Sequence, residues 1–387
     1  MGEERSEEAE DDCEGTVSRM NFATMFSGFG GADAGLMAAG MTPLWGVEYD
    51  AAIADVYRRN IGDHVIVADV RTVDYAALPA VDWLHASPSC VRASVANVDA
   101  TEATEDIEAA QAVVRALQAH RPQVFTLENV WGYRNFAAFR LILDTIGSMG
   151  YFYDFEHVNA ADLGVPQTRR RLILRATRGL LPPMPAPVPW VGWYEAIADL
   201  LPDLPESKLA PWQIARLPDE VRTMFLANGK YGDALVMAAQ DEPANTITAN
   251  SNQAYLKAML VDGKLGSEST NMTTRDGEAP CFTVTTSHNQ RDMRAVLVDG
   301  GNTTRPATTI EQSSPAMTVQ AWHGRRTSHA PVAVAHRIVA MTPRCLARFQ
   351  SFPDWYELPD KRSLAAKGIG NAVPPLLMQR IAEELAA

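Results

Sequence analysis

Short apolar runs alternate with helical stretches along the first half of the chain, from residue 21 to about residue 178. Such runs are typical of buried strands, and helices between them connect strands that run parallel. Because these helices cover both faces of a sheet, the pattern predicts an α/β fold with a doubly wound parallel sheet. The predicted strands are residues 22–26, 43–47, 65–68, the segment from 81 to the turn at 87–89, 124–127 and 172–174. The clearest predicted helices are residues 32–39 and 102–119.

The second half of the chain differs in composition and contains a repeat. A proline-rich segment, residues 182–189, cannot continue a helix or a central strand and predicts a linker. After it, residues 243–248 (PANTIT) recur 37 positions later as residues 280–285 (PCFTVT), with a third partial copy at 315–320. These Thr/Val-rich runs predict short strands in a small repeated β unit. Its variable loops suit a recognition surface, and a merely structural duplication is the alternative.

Charge and cysteine content set weaker limits on function. The 387 residues carry a net charge of −13, but residues 3–14 alone contain eight acids and one arginine. Residues 1–19 are therefore predicted to be a disordered acidic tail, and the net charge does not exclude a nucleic-acid partner. The four cysteines lack CxxC spacing, which argues against a zinc site and a disulfide framework. We expect a cytoplasmic protein, because no apolar stretch approaches the roughly 20 residues of a membrane span and no secretory signal is evident.

A glycine turn, residues 28–31, follows the first predicted strand. It lacks the third glycine of a dinucleotide fingerprint, because Asp33 occupies that position. Two acids, Glu48 and Asp69, end the next two predicted strands. Such acids can bind ribose hydroxyls and an adenine amino group, so the ordered set predicts an adenosine-type cofactor without a pyrophosphate.

Two reactive side chains lie where apolar segments end. Cys90 follows a Ser-Pro-Ser turn, and Glu128 ends the strand at 124–127. A thiol and a carboxylate at two strand ends can act as nucleophile and acid on one electron-poor ring, although a lone cysteine is more often structural. Gln167, Arg169 and Arg171 are spaced by two, so on an extended chain they share one face. A guanidinium there suits a carbonyl or phosphate oxygen, and a solvated strand edge is the alternative.

Together these segments resemble the cytosine-5 DNA methyltransferase family, in the order in which that family has them and over nearly the whole chain. The matching segments are FSGFGG (26–31), Glu48, Asp69, PSC (88–90), ENV (128–130), QTRRR (167–171), RFQSFP (348–353) and GNAVPP (370–375). Three positions depart from the usual family pattern: Ser89 and Val91 flank the cysteine, and Cys345 stands where a glutamate is common.

The resemblance implies a Rossmann-like domain that binds S-adenosyl-L-methionine, formed by residues 20–178 and completed by residues 339–387. It also implies a smaller, β-rich target-recognition domain at residues 190–335, with repeats of about 36 residues. The expected partner is double-stranded DNA, bound by a monomer, with a cognate restriction endonuclease as a second partner. A tRNA-methylating enzyme and a non-catalytic DNA-binding protein are the alternatives.

The resemblance also implies roles for individual residues. A flipped cytosine would be attacked at C6 by Cys90, held at N3 by Glu128 and contacted at O2 by Arg171, while Arg169 places the phosphate backbone or the catalytic loop. The expected cofactor-binding residues are Phe26, Gly28, Gly30, Gly31, Glu48, Tyr49, Asp69, Val70, Pro88 and Asn371. The expected DNA-binding residues are Ser94, Gln167, Asn252, Ser287, His288, Asn289, Gln290, Trp322, Arg325 and Arg326.

Overall fold

A seven-stranded sheet forms the centre of the larger domain in the computed structural model. The structure describes residues 20–88, 102–209, 211–218, 256–262, 272–284, 293–299 and 337–386. The strand order in this sheet is β3-β2-β1-β4-β5-β7-β6. Its strands are β1 (Asn21–Met25), β2 (Thr42–Glu48), β3 (Val65–Val67), β4 (Trp83–Ala86), β5 (Val124–Asn129), β6 (Phe152–Asn159) and β7 (Arg170–Thr177).

The sheet is parallel except for β7, which runs antiparallel to both of its neighbours. The strand order reverses between β1 and β4, and open α/β sheets bind ligands at such a switch point, outside the carboxyl ends of the strands. The predicted doubly wound α/β fold is confirmed. The helices around the sheet are α1 (Gly31–Ala38), α2 (Ala51–Asn60), α3 (Thr104–His120) and α4 (Ala137–Ser148).

The C-terminal helices pack against the first half of the chain. They follow α5 (Trp193–Ile197) and α6 (Pro211–Ala215), and are α7 (Pro343–Phe349), α8 (Arg362–Asn371) and α9 (Pro375–Ala386). Helix α9 packs on α1 so closely that a Cβ at Gly35 would lie 2.3 Å from the carbonyl oxygen of Pro375. Only glycine permits this approach, so Gly35 is required by the packing of α9 on α1.

A second, four-stranded antiparallel sheet has the order β11-β10-β8-β9. Its strands are β8 (Leu256–Asp262), β9 (Thr273–Asp276), β10 (Met293–Asp299) and β11 (Arg337–Ala340). The central pair, β8 and β10, carries the two copies of the LVD repeat. Met259 pairs with Val296, its own equivalent 37 positions later, so the two copies are related by a local two-fold axis.

The structure adjusts two details of the predicted second domain. Its sheet includes β11 and so extends past the predicted boundary at residue 335. The repeat copy at residues 280–285 was predicted to be a strand, but its described part, residues 280–284, makes only an isolated bridge between Cys281 and Gln167. The other copies, 243–248 and 315–320, lie outside the described residues.

One apolar core joins the helix α2 and the glycine turn of the larger domain to the second sheet. A single cluster of buried side chains includes Phe29 and Val56 from the larger domain and Ala295 and Val339 from the second sheet. Within the described residues, no helix is both long and apolar enough to cross a membrane.

Candidate active site

Parallel pairing of β4 and β5 brings their carboxyl ends to one edge of the sheet. Ala86 pairs with Leu127 as the last pair between these two strands. Glu128 is the next residue of β5, and Pro88 lies two residues after Ala86. Cys90 and Ser94 lie outside the described residues. The last described residue before this gap, Pro88, lies two residues before the predicted nucleophile, Cys90. It lies at the same sheet edge as the predicted acid, Glu128.

Glu128 and Arg171 face each other at this edge. The Nε atom of Arg171 lies 3.1 Å from Oε1 of Glu128, and the two side chains are 14% and 8% exposed. They meet because β5 pairs with β7 so that Glu128 lies opposite Ile173, two positions from Arg171 on the same face. The contact lacks hydrogen-bond alignment, and among the described residues Glu128 Oε1 has no hydrogen-bond partner. A buried carboxylate held by a cation and still able to form a hydrogen bond suits recognition of a polar ring.

Asn129 connects the two strand ends. Its side-chain nitrogen, Nδ2, donates a hydrogen bond of 3.1 Å to the carbonyl oxygen of Pro88, and its Oδ1 accepts one from the backbone N–H of Val130. The side chain is buried, so both bonds are protected from water. The residue after the acid thus holds the backbone that leads to Cys90.

Gln167 is placed differently from the prediction that it contacts DNA. Its side chain is fully buried, and its Nε2 donates 2.6 Å to Oε1 of Gln350 in the turn after α7. Its own Oε1 accepts a hydrogen bond of 3.0 Å from the backbone N–H of Val284. Both ends of the amide are used inside the protein, which leaves none for DNA.

Arg169 is also buried, and it faces the protein rather than the edge with Glu128. Its Nη1 donates to the carbonyl oxygens of Gly370, at 3.0 Å, and Val284, at 3.3 Å. The predicted shared face of Gln167, Arg169 and Arg171 required an extended strand, but β7 begins only at Arg170. Of the three side chains, only Arg171 lies beside Glu128. Arg169 instead joins the basic motif to the C-terminal segment and to the repeat.

The glycine turn adopts the left-handed conformations that its sequence permits. Phe26, Gly28 and Gly30 have φ angles of 61°, 57° and 73°. Among the described residues, a Cβ on Gly28 would meet only the carbonyl oxygen of Phe26, at 3.9 Å, so this part of the chain leaves the space beside Gly28 open. By contrast, a Cβ on Gly31 would lie 2.2 Å from the carbonyl oxygen of Val373. The first glycine therefore leaves room for a ligand, whereas Gly31 lets the C-terminal segment approach.

The two acids predicted to bind ribose and adenine, Glu48 and Asp69, differ in the partners of their carboxylates. Glu48 is buried, and its two oxygens accept hydrogen bonds from the backbone N–H groups of Gly28, at 3.0 Å, and Asp50, at 2.9 Å. Burial raises the pKa of Glu48, and these two bonds partly offset the rise. Asp69 instead pairs with Arg71 at 2.6 Å, and this hydrogen bond lowers the pKa of Asp69.

The neighbours of these two acids differ in exposure. Tyr49 is 73% exposed, so its ring is available to stack on a planar ligand. Val70 is buried and begins a short 3-10 helix. Its apolar side chain therefore contributes packing rather than a polar contact with a ligand.

A small cavity lies at the switch point between β1 and β4, beside the glycine turn. Its lining includes the predicted cofactor residues Phe26, Gly28 and Asn371. It also includes Asp33 and His85, to which sequence analysis assigned no role. Burial raises the pKa of Asp33 to about 6 and lowers the pKa of His85 to about 3. The sequence signal for both residues was a polar side chain within an otherwise apolar segment, His85 in a strand and Asp33 near the start of a helix.

The remaining predicted DNA contacts lie outside the described residues: Asn252, Ser287, His288, Asn289, Gln290, Trp322, Arg325 and Arg326.

The sequence model of one protein family, described as C-5 cytosine-specific DNA methylase, matches residues 20–387. This chain belongs to that family. The resemblance inferred from eight separated motifs is thereby confirmed for nearly the whole chain.

Curated relatives in the family include several bacterial Type II methyltransferases. The chain is 31% identical over 42% of its length to M.Bsp6I from Bacillus sp. strain RFL6 and 28% identical over 70% to M.XorII from Xanthomonas oryzae pv. oryzae. These alignments span only 53% and 60% of those two relatives. M.AgeI from Thalassovita gelatinovora is 26% identical, with 95% of this chain aligned to 99% of that one.

Solved structures show the same fold at low sequence identity. The Entamoeba histolytica methyltransferase EhMeth aligns with a TM-score of 0.55 at 13% identity, over 95% of this chain and 98% of that chain. The Schizosaccharomyces pombe Dnmt2 methyltransferase aligns with a TM-score of 0.53 at 14% identity, over the same shares. The larger domain thus has the Rossmann-like fold of methyltransferases.

Proposed function

We propose that this chain is an S-adenosylmethionine-dependent DNA cytosine-5 methyltransferase. The observation that carries the proposal is the buried Glu128–Arg171 pair, which lies at the sheet edge where the chain leads into Cys90. Glu128 is a buried acid next to a guanidinium, and within the described part of the chain one of its oxygens has no hydrogen bond. Such a pair is complementary to the N3 and O2 edge of cytosine. A protein that only binds DNA has no need of such a pair.

The residues support a covalent reaction at a cytosine extruded from the duplex. The Cys90 thiolate adds to C6, and the electron pair of the C5=C6 bond becomes available at C5. Glu128 binds N3 and Arg171 binds O2, so both stabilise the charge that develops on the ring. After C5 is methylated, loss of its proton and cleavage of the S–C6 bond restore the double bond and release Cys90.

The cavity and the glycine turn fit the proposed cofactor. The open space beside Gly28, the buried carboxylate of Glu48 and the exposed ring of Tyr49 suit an adenosine group. Asn371 lines the same cavity from the end of α8. When bound, S-adenosylmethionine supplies an electrophilic methyl group. Asp69 is the weakest member of the predicted set, because its carboxylate is already paired with Arg71.

We assign target recognition to residues 190–335 and, within them, to the loops at 251–252, 287–290 and 322–326. Support comes from the repeat, whose two described copies form neighbouring antiparallel strands of one small sheet. The expected substrate is double-stranded DNA. The Type II names of the relatives favour a role beside a cognate restriction endonuclease.

A duplex containing 5-fluorocytosine tests the reaction. Fluorine at C5 cannot leave as a proton does, so an active enzyme with cofactor remains covalently attached to the DNA. We expect an adduct that survives denaturing electrophoresis and disappears in Cys90→Ser. The matched control is Cys13→Ser, because Cys13 precedes the region that matches the family. An adduct retained in Cys90→Ser would contradict the assignment, and an adduct formed only with a fluorocytosine-containing tRNA would replace DNA with RNA as substrate.

Exchange of the three loops for those of a relative tests target recognition. Bisulfite sequencing of DNA from cells that express each chimera should reveal a new methylated sequence. Binding of S-adenosylmethionine should be unchanged. Methylation of the original sequence by every chimera would contradict the loop assignment and leave the reaction assignment intact.

A further inference from the structure

Two buried polar atoms in the cavity beside the glycine turn have no hydrogen-bond partner among the described residues. They are Oδ2 of Asp33 and Nε2 of His85. The two side chains are 0% and 2% exposed, so bulk water does not satisfy them. An unsatisfied buried polar atom costs about 1–3 kcal/mol, and more when it is charged. Among the described residues, both atoms are therefore left for an occupant of the cavity.

Asp33 is held from one side only. Its Oδ1 accepts hydrogen bonds from Thr24 Oγ1, at 2.9 Å, and from the Tyr57 hydroxyl, at 2.6 Å. These two bonds fix the orientation of the carboxyl group. The second oxygen, Oδ2, is left for the occupant of the cavity.

His85 is the second polar side chain of this cavity. Its Nδ1 lies 2.9 Å from Thr126 Oγ1, which also accepts a hydrogen bond of 3.0 Å from Trp83 Nε1. Nε2 is therefore the ring nitrogen that is left for the occupant of the cavity. Burial keeps the pKa of His85 near 3, so the ring is neutral and brings no positive charge to Asp33.

No described cation neutralises Asp33. The groups that face it are neutral or acidic: Tyr57 from α2, Tyr356 from the segment between α7 and α8, His85 from β4 and, beside the glycine turn, Glu48. The half-buried His64 bonds to Tyr57 rather than to the carboxyl group. Burial without a counter-charge raises the pKa of Asp33 to about 6. A positive charge brought by a ligand would therefore stabilise the ionised form of Asp33.

We propose that Asp33 binds the positively charged end of the cofactor, accepting its contact through Oδ2. The inference rests on the proposed function and deepens it, because S-adenosylmethionine carries two cationic groups, a sulfonium and an α-ammonium. Either group provides the counter-charge that the cavity lacks. Asp33 thereby becomes a cofactor-binding residue supplied by α1 rather than by the strand ends.

Calorimetric measurement of proton release tests the proposal on the unaltered protein. A cationic ligand lowers the pKa of Asp33, so binding at pH 6 releases the proton that half of the free molecules carry there. Titration with S-adenosylmethionine at pH 6, in buffers of different ionisation enthalpy, should show about half a proton released by this group. The same titration at pH 8 should show none from Asp33, because it is already ionised.

The variant Asp33→Asn separates this proton from any released by Glu48. The amide keeps an oxygen for Thr24 and Tyr57 but cannot carry charge. We expect its Kd for S-adenosylmethionine at pH 7.5 to rise roughly 10- to 100-fold, as for loss of a hydrogen bond to a charged group. Its proton release at pH 6 should fall by the share assigned to Asp33. Asp55→Asn is the control, because the side chain of Asp55 is 70% exposed on α2 and forms a surface ion pair with Arg58.

S-adenosylhomocysteine distinguishes the two cations. It retains the α-ammonium and lacks the sulfonium charge. An equal loss of affinity for both ligands in Asp33→Asn identifies the ammonium, and a loss confined to S-adenosylmethionine identifies the sulfonium.

Equal Kd values for the unaltered protein and Asp33→Asn, with equal proton release, would overturn the proposal. A water molecule bridging Asp33 and His85 would then be the occupant. That result leaves the proposed function standing, provided that the unaltered protein binds S-adenosylmethionine and forms the fluorocytosine adduct. If the unaltered protein does neither, the proposed function itself fails.

Discussion

The side chain of Asn129 donates a hydrogen bond of 3.1 Å to the carbonyl oxygen of Pro88, across the ends of two neighbouring parallel strands. This bond joins the residue after the predicted acid to the backbone two residues before the predicted nucleophile. The hydrogen bond is buried, so water does not compete with it. Asn129 is thus a positioning residue for the segment that carries Cys90.

Asn129→Ala should slow adduct formation without removing it. The alanine leaves the Pro88 carbonyl unsatisfied, which costs about 1–3 kcal/mol and frees the start of the Cys90 segment. We expect the adduct rate with a 5-fluorocytosine duplex to fall about 10- to 100-fold, while Kd for S-adenosylmethionine stays unchanged. Asn135→Ala is the control, since Asn135 is exposed in the same connection. A normal rate in Asn129→Ala would show that the bond does not position the nucleophile.

The Glu128–Arg171 pair should contribute to stability in a way that depends on both partners. Arg171→Ala leaves the carboxylate of Glu128 buried without its cation, and we expect the free energy of unfolding to fall by about 3 kcal/mol. The double variant Glu128→Gln/Arg171→Ala removes the unpaired charge and should recover most of this loss. Adduct formation should remain absent in both. Urea denaturation measures the first effect, and additive losses in the double variant would argue against a coupled pair.

Replacement of Gln167 should affect folding rather than DNA contact. Gln167→Ala leaves Gln350 and the Val284 N–H without their partner, so we expect a loss of about 1–3 kcal/mol in unfolding free energy. The slope of log K against log salt for DNA binding should be unchanged, because no phosphate contact is lost. Gln379→Ala serves as control, because the Gln379 side chain donates an exposed hydrogen bond to Glu383 within α9. A shallower slope in Gln167→Ala would instead support the predicted contact between Gln167 and DNA.

Asp33 should make the cofactor-free protein less stable as the pH rises. Its folded pKa of about 6 exceeds its ordinary value of 3.8, so between these values the folded state binds more protons than the unfolded state. We expect the unaltered protein to lose about 1 kcal/mol relative to Asp33→Asn between pH 5 and pH 7.5. His85 acts in the opposite sense, since its pKa is lowered from 6.5 to about 3 and its contribution grows with pH. The contribution of Asp33 is the difference in unfolding free energy between the unaltered protein and Asp33→Asn, measured by urea denaturation at each pH. If this difference did not change with pH, the raised pKa of Asp33 would be contradicted.

Periodicity and strand-end chemistry were enough to predict the central sheet, the glycine turn and the placement of Glu128. These features depend on neighbours in the chain, because a buried strand must be apolar and a left-handed turn needs glycine. The same reasoning missed α4 and β6. Strand β6 lies at the sheet edge with most side chains exposed, so it lacks the apolar pattern of a buried strand.

The sequence by itself determined the family, the order of its motifs and the residue types available for chemistry. Only the tertiary structure decided which arginine of the basic motif lies beside Glu128, because the beginning of β7 at Arg170 turns Gln167 and Arg169 inward to the C-terminal segment. It also decided that Asp33 and His85 share one cavity. Their proximity arises from pairing of β1 with β4 and from the start of α1, contacts between residues about 50 positions apart that no local pattern encodes.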